Sequence, residues 1–115
     1  MKNEIGDRAR LQHISDSIKE IEKYIENSSY EDFQSNSMMQ FATVKQLEII
    51  GEASNKLTEH FKKLYREIEW REIVGLRNIL IHEYFGIDTK IVWDILQIDL
   101  PKLKIQVEDI LNQIK

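Results

Sequence analysis

The chain has 115 residues, 42% hydrophobic and 31% charged, with a formal net charge of −4 at pH 7. That balance is globular, and the length suits one domain over residues 1–115. The acidity excludes a broad phosphate-tracking surface, although not a local basic cleft; the lack of cysteine excludes a disulfide framework and thiolate chemistry.

One proline, four glycines and no Asn-Gly or Asp-Gly dipeptide predict an all-helical chain with few turns. Leu11, Ile14, Ile18, Ile21 and Ile25 step by three or four residues, which marks an amphipathic first helix with Asp7 as its N-cap. The polar stretch 27–32 ends it. Segment 30–37 reads as a turn held to the core by Phe33. A second helix is expected over 37–56, capped by Ser37 and extending at most to 65. Met38, Phe41, Val44, Leu47 and Ile50 or Gly51 form its apolar stripe. Gly51 in mid-helix costs about 1 kcal/mol against alanine, a cost that close approach of another helix would explain. The charged stretch 57–70 reads as a broken helical connector with Phe61, Leu64, Tyr65 and Ile68 inward.

A third helix is expected over 70–82, its residues Ile73, Val74, Leu76, Ile79, Leu80 and Ile81 marking it as buried, with Gly86 as a stop. Asp88 caps a fourth, whose apolar face is Ile91, Val92, Ile95 and Leu96. Pro101 suits the first turn of a final segment carrying Leu103, Val107, Ile110, Leu111 and Ile114, because a first-turn residue needs no N–H. The predicted fold is an all-α up-down bundle of four main helices, the last pair kinked or joined at Pro101. No run approaches the roughly 20 apolar residues of a membrane span, and the first residues lack the apolar core of a signal peptide. A cytoplasmic location is the expectation.

The chemistry concentrates in Arg77-Asn78-Ile79-Leu80-Ile81-His82-Glu83-Tyr84. Arginine offers a permanent planar charge for phosphate oxygens. Histidine offers a proton donor or acceptor near neutral pH. By pattern alone Arg77 is as readily a surface salt-bridge residue, and a lone histidine is more often structural. Yet a charge in a buried helix needs a partner or a job. On an ideal helix Arg77 and His82 stand about 140° apart, so the pair is not self-contained. Asn78 reads as a helix-surface amide, Tyr84 as a half-buried aromatic with a wet hydroxyl, and His13 and His60 as exposed. Glu48 and Glu52, four apart, read as ion-pair partners for arginines. Metal chemistry is not expected: there is no cysteine, no His-Glu-x-x-His and no histidine pair at helical spacing. No Gly-rich phosphate loop or nucleophile elbow is present, and no cofactor is expected.

The pattern R-x4-H-x-Y resembles the signature of HEPN-domain toxins of the HepT type, the DUF86 group. The resemblance runs along essentially the whole chain: Leu47-Glu48-Ile49-Ile50-Gly51-Glu52-Ala53, Trp70-Arg71-Glu72-Ile73-Val74-Gly75-Leu76, then Trp93 and Leu100-Pro101 at similar spacing. It implies the toxin of a toxin–antitoxin system, a ribonuclease acting on RNA through its own 2′-hydroxyl. Arg77, Asn78 and His82 would be the catalytic set: Asn78 contacts phosphate or orients His82, which removes the 2′ proton or protonates the leaving oxygen. It also implies a homodimer that composes the cleft from two motifs. The implied partner is a cognate MntA-like nucleotidyltransferase antitoxin, with Tyr84 as the acceptor of AMP. The alternative is a non-catalytic helical module that binds a nucleotide or a partner protein at the same place.

Overall fold

The computed structural model describes the backbone of residues 2–81 and 88–114, and the side chains of 6–76 and 88–114. The described residues are helical apart from short connections: α1 (Lys2–Ile25), α2 (Tyr30–Gln34), α3 (Ser37–Lys56), α4 (Glu59–Leu64), α5 (Trp70–Ile81), α6 (Thr89–Asp94), a π-helical turn (Ile95–Asp99) and α7 (Leu100–Gln113). The predicted all-α bundle is what forms. α1 packs along α3 and α7, and α3 packs along α5. Helices joined by such short connections lie antiparallel to their neighbours.

The core follows the sequence stripes where those are strongest. Leu11, Ile14, Ile18 and Ile21 of α1 are sealed from solvent, as are Leu47 and Ile50 of α3 and Val107 of α7. The caps differ from expectation in two places. α1 begins at Lys2, so Asp7 is not its N-cap; its buried carboxylate instead accepts hydrogen bonds from the Thr58 backbone N–H (2.9 Å) and the Thr58 hydroxyl (2.7 Å). The cap of α3 is Asn36, whose side chain accepts from the Met39 N–H at 3.0 Å, one residue before the expected Ser37. Asp88 caps α6 as expected, accepting from the Ile91 N–H at 3.1 Å.

Segment 30–37, expected as a turn, holds a short helix. Ser29 and Asp32 form a reciprocal capping box, which satisfies two otherwise orphan N–H groups and stabilises a helix too short to persist alone. Its buried Phe33 packs on Trp93 at 5.4 Å, so the expected anchor is real. The stripe of α3 is narrower than expected: Met38 and Phe41 are 79% and 65% exposed, and the fully buried residues of α3 begin at Thr43. Leu64, expected inward, is also exposed, while Phe61 and Ile68 are buried.

The last two helices form one continuous rod. Backbone angles stay right-handed α at Asp94, Ile95, Asp99 and Leu100. Pro101 explains the π turn: it has no N–H for the Gln97 carbonyl, and its ring would crowd that carbonyl in an α turn. Widening the preceding turn relieves the clash, and the Leu100 N–H reaches back to the Ile95 carbonyl. The last pair is thus joined through a widened turn immediately before Pro101, in keeping with the joint or kink expected there.

Candidate active site

Arg77 and Asn78 occupy the last two turns of α5. The structure fixes the backbone at these two positions; His82, Glu83, Tyr84 and Gly86 lie outside the described residues. Of the four predicted site residues, Arg77 and Asn78 are thus placed by the backbone of α5.

The start of α5 is clamped by an aromatic cluster. The Trp70 indole N–H donates to the Tyr65 carbonyl at 3.0 Å. Phe61 lies 4.9 Å from the Tyr65 ring and 6.3 Å from Trp70. This cluster sits at the turn between α4 and α5, where a buried indole needs a partner for its N–H. The Arg77 position follows Trp70 by seven residues, about two turns or roughly 10 Å along the axis. α5 lies along α3, and its Ile73 and Leu76 pack against the core.

α6, capped by Asp88, is fastened to α2. The Tyr30 and Thr89 hydroxyls share a hydrogen bond of 3.1 Å. The Lys90 ammonium stands 5.6 Å from the centre of the Tyr30 ring, and Trp93 packs beside Tyr30 at 6.1 Å. Asp94 bonds Lys90 at 2.9 Å, and that hydrogen bond and charge hold the ammonium above its ordinary pKa of 10.5. α5 and α6 thus each carry an aromatic anchor.

The remaining candidates resolve more simply. His13 and His60 are exposed, as expected. Glu48 is half-buried, and Glu52 stands 3.6 Å from Lys56 one turn on, an ion pair with a lysine.

Sequence reasoning missed a groove beside α5. Among the described residues a space of about 490 Å³ lies between α5 and α7, with Lys102 and Glu69 4.0 Å apart at its rim. Leu47 and Ile50 of α3 form its floor, with Ile73 and Leu76 on one wall and Ile95, Leu100 and Leu103 on the other. Glu69, Glu72, Asp99 and Lys102 stand around its rim. The hydrogen bond that the protonated Glu72 carboxyl donates to Glu69, then the Glu69 charge, some desolvation and the Asp99 charge hold Glu72 above its ordinary 4.5, with Lys102 opposing. No residue pattern announces this groove, because every apolar residue lining it also fits an ordinary helix stripe.

The fold and the position of the Arg77 helix define an all-α bundle protein with a polar motif at the end of its third long helix. A family model described as ribonuclease HepT-like matches residues 14–110. The chain is 42% identical over 101 residues to the "Putative RNase" MJ1380 of Methanocaldococcus jannaschii, covering 88% of this chain and 93% of that protein. It is 43% identical over 94 residues to the "Probable ribonuclease HepT" of Thermococcus cleftensis, covering 82% and 86%. It is 37% identical over 108 residues to the "Putative RNase" TTE0752 of Caldanaerobacter subterraneus, covering 94% and 96%. No solved structure gives a significant match. The chain belongs to the ribonuclease HepT-like family, as its motif and surrounding segments led one to expect. Among the described residues no helix is long and apolar enough to cross a membrane.

Proposed function

We propose that this protein is a metal-independent endoribonuclease, the toxin of a toxin–antitoxin pair, acting in the cytoplasm. The family match over 97 of the chain's residues, 14–110, carries this reading, because it spans the Arg77–His82 segment. RNA brings its own nucleophile. The 2′-oxygen attacks the adjacent phosphorus, the bond from phosphorus to the 5′-oxygen breaks, and a 2′,3′-cyclic phosphate forms. His82 accepts the 2′ proton or donates one to the departing 5′-oxygen, help worth about 10²–10⁴ in rate. Arg77 holds the non-bridging oxygens as their charge grows, and Asn78 contacts the phosphate or steadies His82.

One arginine and one histidine per chain make a thin site. A homodimer that brings two motifs together across a two-fold axis doubles both. The α5 position of Arg77, at the end of a helix anchored by Trp70, suits such a cleft. Silencing follows from Tyr84. A cognate nucleotidyltransferase transfers AMP from ATP: the phenolic oxygen attacks the α-phosphorus, pyrophosphate leaves, and the phenolic proton goes to solvent. The added phosphate repels RNA and the nucleotide blocks the cleft.

Purified protein is expected to cleave RNA, and His82→Ala to abolish cleavage with the helical circular dichroism unchanged. Cleavage at the wild-type rate by that variant would remove His82 from the mechanism. Expression alone is expected to arrest growth; a non-catalytic binding module would not. Mass spectrometry after coexpression with the neighbouring nucleotidyltransferase is expected to find AMP on Tyr84. Silencing without modification would point to occlusion by the partner instead.

A further inference from the structure

Three seams of the bundle are closed and one is open. α1 packs on α3 and on α7, and α3 packs on α5, but among the described residues some 490 Å³ of largely apolar space lies between α5 and α7. An opening of this kind leaves hydrophobic surface without a partner. Its floor reaches the core at Leu47 and Ile50, and Ile91 at its edge is 45% exposed although it lies on the helix face that turns inward elsewhere. From Glu69 to Leu76 the α5 wall runs about two turns, roughly 10 Å.

The rim has a sign. Glu69, Glu72 and Asp99 face the opening with Lys102 as the rim's cation, and the Lys102 ammonium lies 4.0 Å from Glu69. Three carboxylates against one ammonium leave negative charge unbalanced. The Glu72 carboxyl pKa is raised first by its hydrogen bond to Glu69 and then by the Glu69 charge, with the Asp99 charge adding and Lys102 opposing. Such a rim disfavours RNA phosphate. It also disfavours a second copy of this chain: a two-fold contact sets a patch against itself, and this patch would set acid against acid.

We infer that the open seam between α5 and α7 is a docking groove for a basic amphipathic helix of another protein. That helix would seat an apolar stripe of two to three turns on Leu76, Ile91 and Leu103 and place lysines or arginines against Glu69, Glu72 and Asp99. Apolar residues at helical spacing supply the affinity in such a groove, and the rim charges supply orientation and choice of partner. The inference is independent of the ribonuclease reading, and binding is measured without RNA.

The test uses the whole chain and a displayed library of helical peptides with leucine fixed at i, i+4 and i+7 and every other position random. Selection is expected to enrich peptides with lysine or arginine flanking the leucines. The selected peptides should bind one per groove, and at least tenfold more weakly to Ile91→Glu and to the Glu69→Lys/Glu72→Lys double variant. All three changes lie on exposed positions, and circular dichroism checks that each variant keeps its helices. No enrichment, enrichment without a basic preference, or binding indifferent to both variants would overturn the inference. So would a wild-type dimer that Ile91→Glu splits into monomers in sedimentation, since a second copy would then cover the groove.

Discussion

Asp7 shows how one side chain can join distant parts of a helical chain. Its buried carboxylate takes two hydrogen bonds from Thr58, fixing the second turn of α1 to the start of α4. Thr58 in turn caps α4 through its hydroxyl, which accepts from the Phe61 N–H at 3.1 Å. Replacement by alanine leaves the Thr58 N–H half-buried and unpaired. Asp7→Ala is expected to cost about 1–3 kcal/mol in urea unfolding, and Asp7→Asn, which keeps one acceptor, to cost less. Glu72 makes the opposite kind of contribution. Its folded pKa is raised, so the folded chain holds that proton more tightly than the unfolded chain. The associated stability is present below pH 4.5 and is lost as pH rises through the folded value. Glu72→Gln is therefore expected to raise the urea midpoint at pH 7, with the gain gone below about pH 4. An equal gain at both pH values would mean that relief of repulsion is not its source.

At the scale of elements, α5 carries a glycine that its own position does not require. A Cβ at Gly75 would meet nothing within 4 Å, since this side of the helix opens on the groove. Alanine is favoured over glycine in a helix interior by about 0.5–1 kcal/mol. Gly75→Ala is expected to raise the thermal midpoint accordingly; a lower midpoint would show that the groove closes in solution. The long helices were legible because their apolar residues recur at 3.6-residue spacing over three or more turns, as in Leu11 to Ile25. α2 was not, since five residues carry too little periodicity and its stability comes from the Ser29–Asp32 box and from Phe33 against Trp93. Nor was the start of α1: Asp7 is a good cap by type, yet burial against Thr58 gave its carboxylate a different role.

For the whole molecule, the separation of Arg77 and His82 on an ideal helix argues for a site completed by a second chain. That idea makes a prediction of its own. Arg77→Ala and His82→Ala proteins are each expected to be inactive, and their mixture, after exchange of subunits, to recover part of the RNA cleavage. Recovery comes from mixed dimers, in which one chain supplies the arginine and the other the histidine. A self-contained site in each chain predicts no recovery. Cross-bundle ties such as Lys104 on α7 to Glu22 on α1, at 2.9 Å, hold the closed seams; Glu22 also raises the Lys104 pKa first by that hydrogen bond. The open seam carries a looser tie at its rim, Lys102 to Glu69 at 4.0 Å between exposed side chains.

The sequence by itself determined the helical class, the main helices and the family, because apolar spacing and an unusual cluster of Arg77, Asn78, His82 and Tyr84 are properties of the chain alone. The tertiary structure decided which side of each stripe is covered. Met38, Phe41 and Leu64 look like core residues in sequence and are exposed, since burial depends on which helices reach them. It also decided that a groove with a largely acidic rim lies between α5 and α7. Periodicity reports that a helix has an apolar face; only packing reports whether that face has met its partner.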